Sequence, residues 1–223
     1  MTPIVTIRPA PGSEATVTTG DQYGLTVHAF PMFAIRPVEW SCDPTGFDGL
    51  LLGSANAVRH GGEGLDDVRN LPAHCVGAIT AFAAKEAGFA VASTGTGGLQ
   101  SVLDALPPPQ RLLRLSGLDH VPLEPRDGIE IETCVAYESA ALPMPEALAG
   151  LAAEGALVLL HSVIAAEHFA QECDRRGIDR GAVSLASLGP RIRGAAGRGW
   201  RRSESAPQPS DAALLALARD MCH

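Results

Sequence analysis

Residues 47–58 read FDGLLLGSANAV, an apolar run that ends in the small polar pair Gly53-Ser54 and passes straight into a helical pattern. A near copy, GALVLLHSVIAA, fills residues 155–166 and ends its run at His161-Ser162. The likeness continues further along the chain. HCVGAITAFAAKEAGFAVASTG (74–95) has its counterpart in VSLASLGPRIRGAAGRGWRRSES (183–205), and GGLQSVLDAL (97–106) in PSDAALLALA (209–218). Second strands end at Gly77 and Gly189, and Gly88 and Gly199 stand before the third strands, at an offset of about 108 to 112 residues. Short apolar runs alternating with helical patterns predict parallel, doubly wound sheets. Two copies make two lobes, and a cleft between lobes is a favoured place for chemistry.

A weaker repeat surrounds the first. PIVTIRP (3–9) precedes LTVHAFPMFAIRPVE (25–39), as RLLRLSG (111–117) precedes IEIETCVAYESA (129–140). The predicted layout is one discontinuous lobe of residues 1–32 and 141–223, a second of 41–132, and linking strands at 33–40 and 133–140. The expected fold class is therefore α/β, with two flavodoxin-like lobes joined by a two-stranded linker. A chain of 223 residues that is 46% hydrophobic can supply both cores.

Composition narrows the function. A net charge of −8 argues against a nucleic-acid partner and means that an acidic ligand needs local donors. Lys85 is the only lysine and follows no glycine-rich loop, so a Walker-type phosphate loop fails. Five cysteines without a CxxC pair read as free thiols of a reducing cytoplasm. No stretch reaches the roughly 18 apolar residues of a membrane span, and MTPIVTIRP lacks the form of a leader. The histidines form neither HxH nor HExxH, so no metal is expected. STGTGG (93–98) lacks the spacing of a dinucleotide fingerprint and reads as a loop between strand and helix.

The candidate ligand contacts are the strand ends. Ser54, Gly77–Thr80, Ser162 and Gly189–Arg191 all open helices there, where free N–H groups and the helix dipole suit carboxylates or phosphates. Each serine or threonine is equally a plain helix cap. His161 also ends a strand toward the expected cleft. Tyr137, in VAYES, can pack as an amphipathic anchor or give a proton to a leaving oxygen. No GxSxG elbow or Ser/His/Asp set supports covalent hydrolysis.

Together these residues resemble the uroporphyrinogen-III synthase family. The resemblance rests on Thr6-Ile7-Arg8-Pro9, LLGSANAV (51–58), Val76-Gly77-Ala78-Ile79-Thr80-Ala81, Val135-Ala136-Tyr137, Leu160-His161-Ser162 and Gly189-Pro190. It covers almost the whole chain, in order. The chain departs from the family at Ser116-Gly117, where Arg-Gly is usual, in the short segment 118–128, and at Arg191-Ile192, where threonines are frequent. The resemblance implies a cytoplasmic, monomeric, cofactor-free lyase acting on hydroxymethylbilane, a linear tetrapyrrole with eight carboxylates. Tyr137 would be the proton donor, and Arg8, Ser54, Thr80, His161, Ser162, Gly189 and Arg191 would contact substrate. The alternatives on the residues alone are a non-catalytic two-lobe binding or sensor protein, or a flavin- or nucleotide-binding protein.

Overall fold

A computed structural model describes residues 2–222. The chain divides into two compact units, one built from residues up to Ala34 together with those from Ala141 onward, the other from Ile35–Ala140.

In the first unit, β1 (Ile4–Thr6), β2 (Val27–Ala29), β9 (Leu157–Leu160), β10 (Ser184–Ser187) and β11 (Arg202–Ser205) form one sheet in the order β11-β10-β9-β1-β2. Every pairing in it is parallel. Side chains alternate between faces along a strand, so LVLL of β9 feeds two cores. Val158 and Leu160 join Val5, Leu185 and Phe169 on one face. Leu157 and Leu159 join Ile4, Leu214 and Leu215 on the other. Phe169 lies on α7 (Val163–Arg176), the two leucines on α9 (Asp211–Met221), so helices cover both faces. This double cover is why the strand is apolar without interruption.

The second unit repeats the plan with its strands in another chain order. β4 (Gly49–Leu52), β5 (Ala73–Cys75), β6 (Val91–Thr94), β7 (Gln110–Gly117) and β8 (Ile129–Ala141) stand as β8-β7-β4-β5-β6, with β3 (Phe33–Pro37) beyond β8. The pairings among β4 to β8 are parallel. Leu50 and Leu52 pack with Leu113 and Leu115 on one face, while Leu51 and Leu112 meet Val102 and Leu103 of α5 (Leu99–Asp104) on the other. In each sheet, the chain leaves the two central strands in opposite directions: β1 and β9 in the first unit, β7 and β4 in the second.

Two extended segments differ from their sequence reading. Residues 25–39 are broken into β2 and β3, because Pro31 has no N–H to offer a ladder while Phe30 and Met32 donate back to the Thr6 and Ile7 carbonyls. Residues 133–140 are not a separate strand but the second half of the 13-residue β8, which pairs with β7 from Ile129 to Tyr137.

Candidate functional site

The carboxyl ends of β4 and β7 frame a cavity of about 430 Å³ whose walls include Gly53, Ser54, Arg114, Ser116, His120 and Tyr137. Ligands of doubly wound sheets sit at such a switch point, where neighbouring central strands send the chain to opposite sides. Ser54 is extended and caps α2 (Ala55–Arg59), its Oγ accepting from the Asn56 N–H at 3.1 Å. The hydroxyl proton stays free to donate.

Tyr137 is held by a pairing irregularity. The register of β7 on β8 shifts between Ser116 and Gly117, which sets Gly117 opposite Tyr137. A Cβ on Gly117 would lie 2.7 Å from Tyr137 Cε2 and 3.0 Å from its hydroxyl oxygen, so the ring rests where only glycine leaves room. Beside it, His120 Nδ1 lies 2.9 Å from the Gly117 carbonyl and 3.3 Å from Ser116 Oγ. Donation from Nδ1 to that carbonyl leaves Nε2 as the acceptor of the neutral ring.

Arg114 is 6% exposed. Its Nη2 donates to the Val121 carbonyl at 2.9 Å, and its Nε has no partner. Arg114 and His120 were not singled out in the sequence, and Ser116 entered only as a departure from the family pattern. The available signal was an arginine set inside the leucine run LLRLSG, two residues before Ser116 and hence on the same face of the strand.

In the first unit, Ser162, Gly189 and Arg191 line a second cavity, of about 340 Å³. Ser162 caps α7 by accepting from the Ala165 N–H at 3.2 Å, and Gly189 precedes α8 (Pro190–Ala195). Arg8 and His161 belong instead to a closed network. Arg8 Nη1 reaches Asp211 Oδ2 at 3.1 Å, Thr16 Oγ1 donates to the same oxygen at 3.0 Å, and His161 Nε2 lies 3.1 Å from Asp211 Oδ1.

This corrects two sequence expectations. The His161 side chain is 7% exposed and turns to Asp211 rather than to either cavity, because it continues the parity of Leu157 and Leu159 toward α9. Burial, and next the charge of Arg8, push its pKa down to about 4 against the pull of Asp211, so the ring is neutral near pH 7. Thr80 is 4% exposed, since the helical period of α4 (Ala78–Glu86) puts it with Ala81, Ala83 and Ala84 on the core side. Gly77 caps that helix through its extended backbone. Of the remaining candidates, Ser54 and Tyr137 share one cavity, Ser162, Gly189 and Arg191 share another, and Arg8 is one-third exposed beside Asp211.

Among the described residues, no three His, Cys, Asp or Glu side chains cluster as a metal site, all five cysteines are free, and no helix is long and apolar enough to cross a membrane. Of STGTGG, read as a loop, Ser93 and Thr94 close β6 and only Gly95–Gly98 connect it to α5.

Parallel sheets with helices on both faces, and a cavity outside the carboxyl ends of central strands, define a mixed α/β protein built to take a ligand there. The fold is similar to the crystal structure of uroporphyrinogen-III synthetase from Helicobacter pylori 26695, with a TM-score of 0.68 and 19% identity over 99% of this chain and 100% of that one. It is also similar to a mutant uroporphyrinogen III synthase from the extremely thermophilic bacterium Thermus thermophilus, with a TM-score of 0.50 and 18% identity over 100% of this chain and 99% of the other. No curated protein sequence matches the chain. The family model HEM4, uroporphyrinogen-III synthase HemD, matches residues 14–216. The chain belongs to the uroporphyrinogen-III synthase family, whose members are enzymes of tetrapyrrole biosynthesis.

Proposed function

We propose that this chain closes hydroxymethylbilane to uroporphyrinogen III as a cofactor-free lyase, a monomer working in the cytoplasm. The observation that carries the reading is the match of the family model over residues 14–216. The cavity beside Tyr137 and Ser54 supports it by supplying a proton donor and a second hydroxyl at one place. In this reading each unit is a flavodoxin-like lobe: the first sheet runs 2-1-3-4-5 in chain order, and the second takes the same spatial arrangement once β7 and β8 are counted ahead of β4. Residues 33–40, which contain β3, and 133–140, the second half of β8, are the linking segments.

The reaction asks for little acid-base chemistry. Tyr137 gives its phenolic proton to the terminal hydroxyl of the substrate, the carbon–oxygen bond breaks, and water leaves an azafulvene cation. The substituted carbon of the last pyrrole attacks that cation and gives a spiro intermediate. Fragmentation and reclosure with the last ring inverted, then loss of a proton, complete uroporphyrinogen III, and the proton returns to the phenolate. Holding the chain ends in the productive arrangement is the larger part of the task. The Ser54 hydroxyl holds one acid group. Ser162, the backbone at Gly189 and the Arg191 guanidinium suit further carboxylates, without needing a basic protein. Arg8 acts as a positioning residue that fixes Asp211 and the end of β1.

The test is the isomer of the product. Purified protein given enzymatically generated hydroxymethylbilane should yield type III porphyrin after oxidation; type I alone, the spontaneous product, overturns the proposal. Tyr137→Phe should slow ring closure about a hundredfold, the lower end for a general acid. An unchanged rate of type III formation removes the donor role.

A further inference from the structure

Arg114 carries a charge that the protein leaves unanswered. The guanidinium is buried, its Nε has no partner, and among the described residues no carboxylate stands within ion-pair distance of it. Burial lowers its pKa from the ordinary arginine value, yet an arginine keeps its proton in a folded protein. A buried cation without an anion is unfavourable unless something supplies the anion.

The first unit shows where that anion belongs. By strand register Thr6 of β1 stands where Arg114 stands on β7; Arg8 lies two residues further along, on the same face, and Asp211 answers it. Asp211 is the first residue of α9, the helix after the outermost strand β11. The counterpart of α9 in the second unit is α5, after the outermost strand β6, and its first turn begins Leu99-Gln100 with no acidic residue. Leu99 and Gln100 line the same cavity as Arg114. One unit has both halves of the ion pair. The other has the cation alone, facing a cavity.

We propose that Arg114 is the carboxylate-anchoring residue of this cavity, taking one acid group of the tetrapyrrole where the first unit has its own aspartate. This rests on the reading under Proposed function only in that the substrate is the source of the acid group. A guanidinium presents two parallel N–H donors to a carboxylate, a geometry an ammonium cannot copy.

Three variants test it, with steady-state kinetics on hydroxymethylbilane and fluorescence titration of uroporphyrin III, a stable octacarboxylate. Arg114→Met should raise KM and the uroporphyrin Kd about tenfold to a hundredfold, the range for a hydrogen bond to a charged group, while kcat stays within about threefold. Arg114→Lys should recover part of the loss. Leu99→Asp, which copies the position of Asp211, should raise both constants in the same way while the melting temperature holds or rises. A purely structural Arg114 would not respond to an acid built at residue 99. KM and Kd within about twofold of the parent value in Arg114→Met, or in Leu99→Asp should the Met variant not fold, overturn the anchor. If the parent makes only type I porphyrin yet binds uroporphyrin III through Arg114, the anchor stands and the catalytic proposal falls.

Discussion

The two units share a spatial plan of five parallel strands, threaded in different chain order, but finish their central strands in opposite ways. At the ends of β1 and β9, Asp211 draws together Arg8, Thr16 and His161, and the histidine is shut from solvent with its Nδ1 unpartnered. At the ends of β7 and β4, a cavity opens instead, with Arg114 unpaired, Ser54 at a helix start and Tyr137 over a glycine. The closed network consumes its charges in holding the fold. At the open one, the guanidinium of Arg114 has no acid beside it among the described residues. Two sheets of the same spatial plan thus carry different arrangements at their strand ends, although the chain enters the second sheet at β4 and reaches β7 late.

Acid should reveal the closed network first. The folded-state pKa of His161, about 4, lies below the unfolded value of 6.5. Between these values the unfolded chain binds a proton that the native ring refuses, so stability falls as pH drops from 6.5 to 4 and levels off below. The difference is worth roughly 3 kcal/mol. His74 is held down by burial in the same direction, so the contribution of His161 is the part of the urea-unfolding slope that His161→Gln removes. An unchanged slope in that variant would break the contrast between a closed and an open unit.

Gly117→Ala probes the open end. Its Cβ must displace the Tyr137 ring, and a ring moved by about 1 Å should lower the rate of type III formation at least tenfold. Near-full activity would mean that ring position is not what the glycine protects. The smallest effect compares the two serine caps. Ser162→Ala and Ser54→Ala should each cost about 1 kcal/mol in thermal or urea unfolding, since each removes one N–H acceptor at a helix start. Each should also raise KM through its own cavity, and an unchanged KM in either variant removes that serine from the proposed substrate contacts.

Much of the framework could be read before any coordinates. LLLGS and LLHS were legible as buried strands passing into helices, because an uninterrupted leucine run followed by a capping serine has few other solutions. Ser54, Ser162, Gly77 and Gly189 do stand at helix starts. What escaped was direction. His161 adjoins Ser162 in sequence, yet its side chain turns to α9 while the serine caps α7, a difference of strand parity that matters only once α9 has been packed. Thr80 lies three residues from the helix cap and still faces the core, since neighbours one position apart on a helix point about 100° apart. Arg114 was hidden because a leucine run reads as core, and the missing acid in α5 has meaning only beside Asp211 in the other unit.

The amino-acid sequence by itself determined which segments become strands and helices, where the helices begin, and the family to which the chain belongs. Those properties follow from local pattern, from the cost of leaving backbone groups unpaired, and from motif order. Only the tertiary structure decided which charges meet. Arg8 is 203 residues from Asp211 and is neutralised by it, whereas Arg114 finds no acid among the described residues. Ion pairs depend on distance in space and on burial, and neither is written in the order of residues.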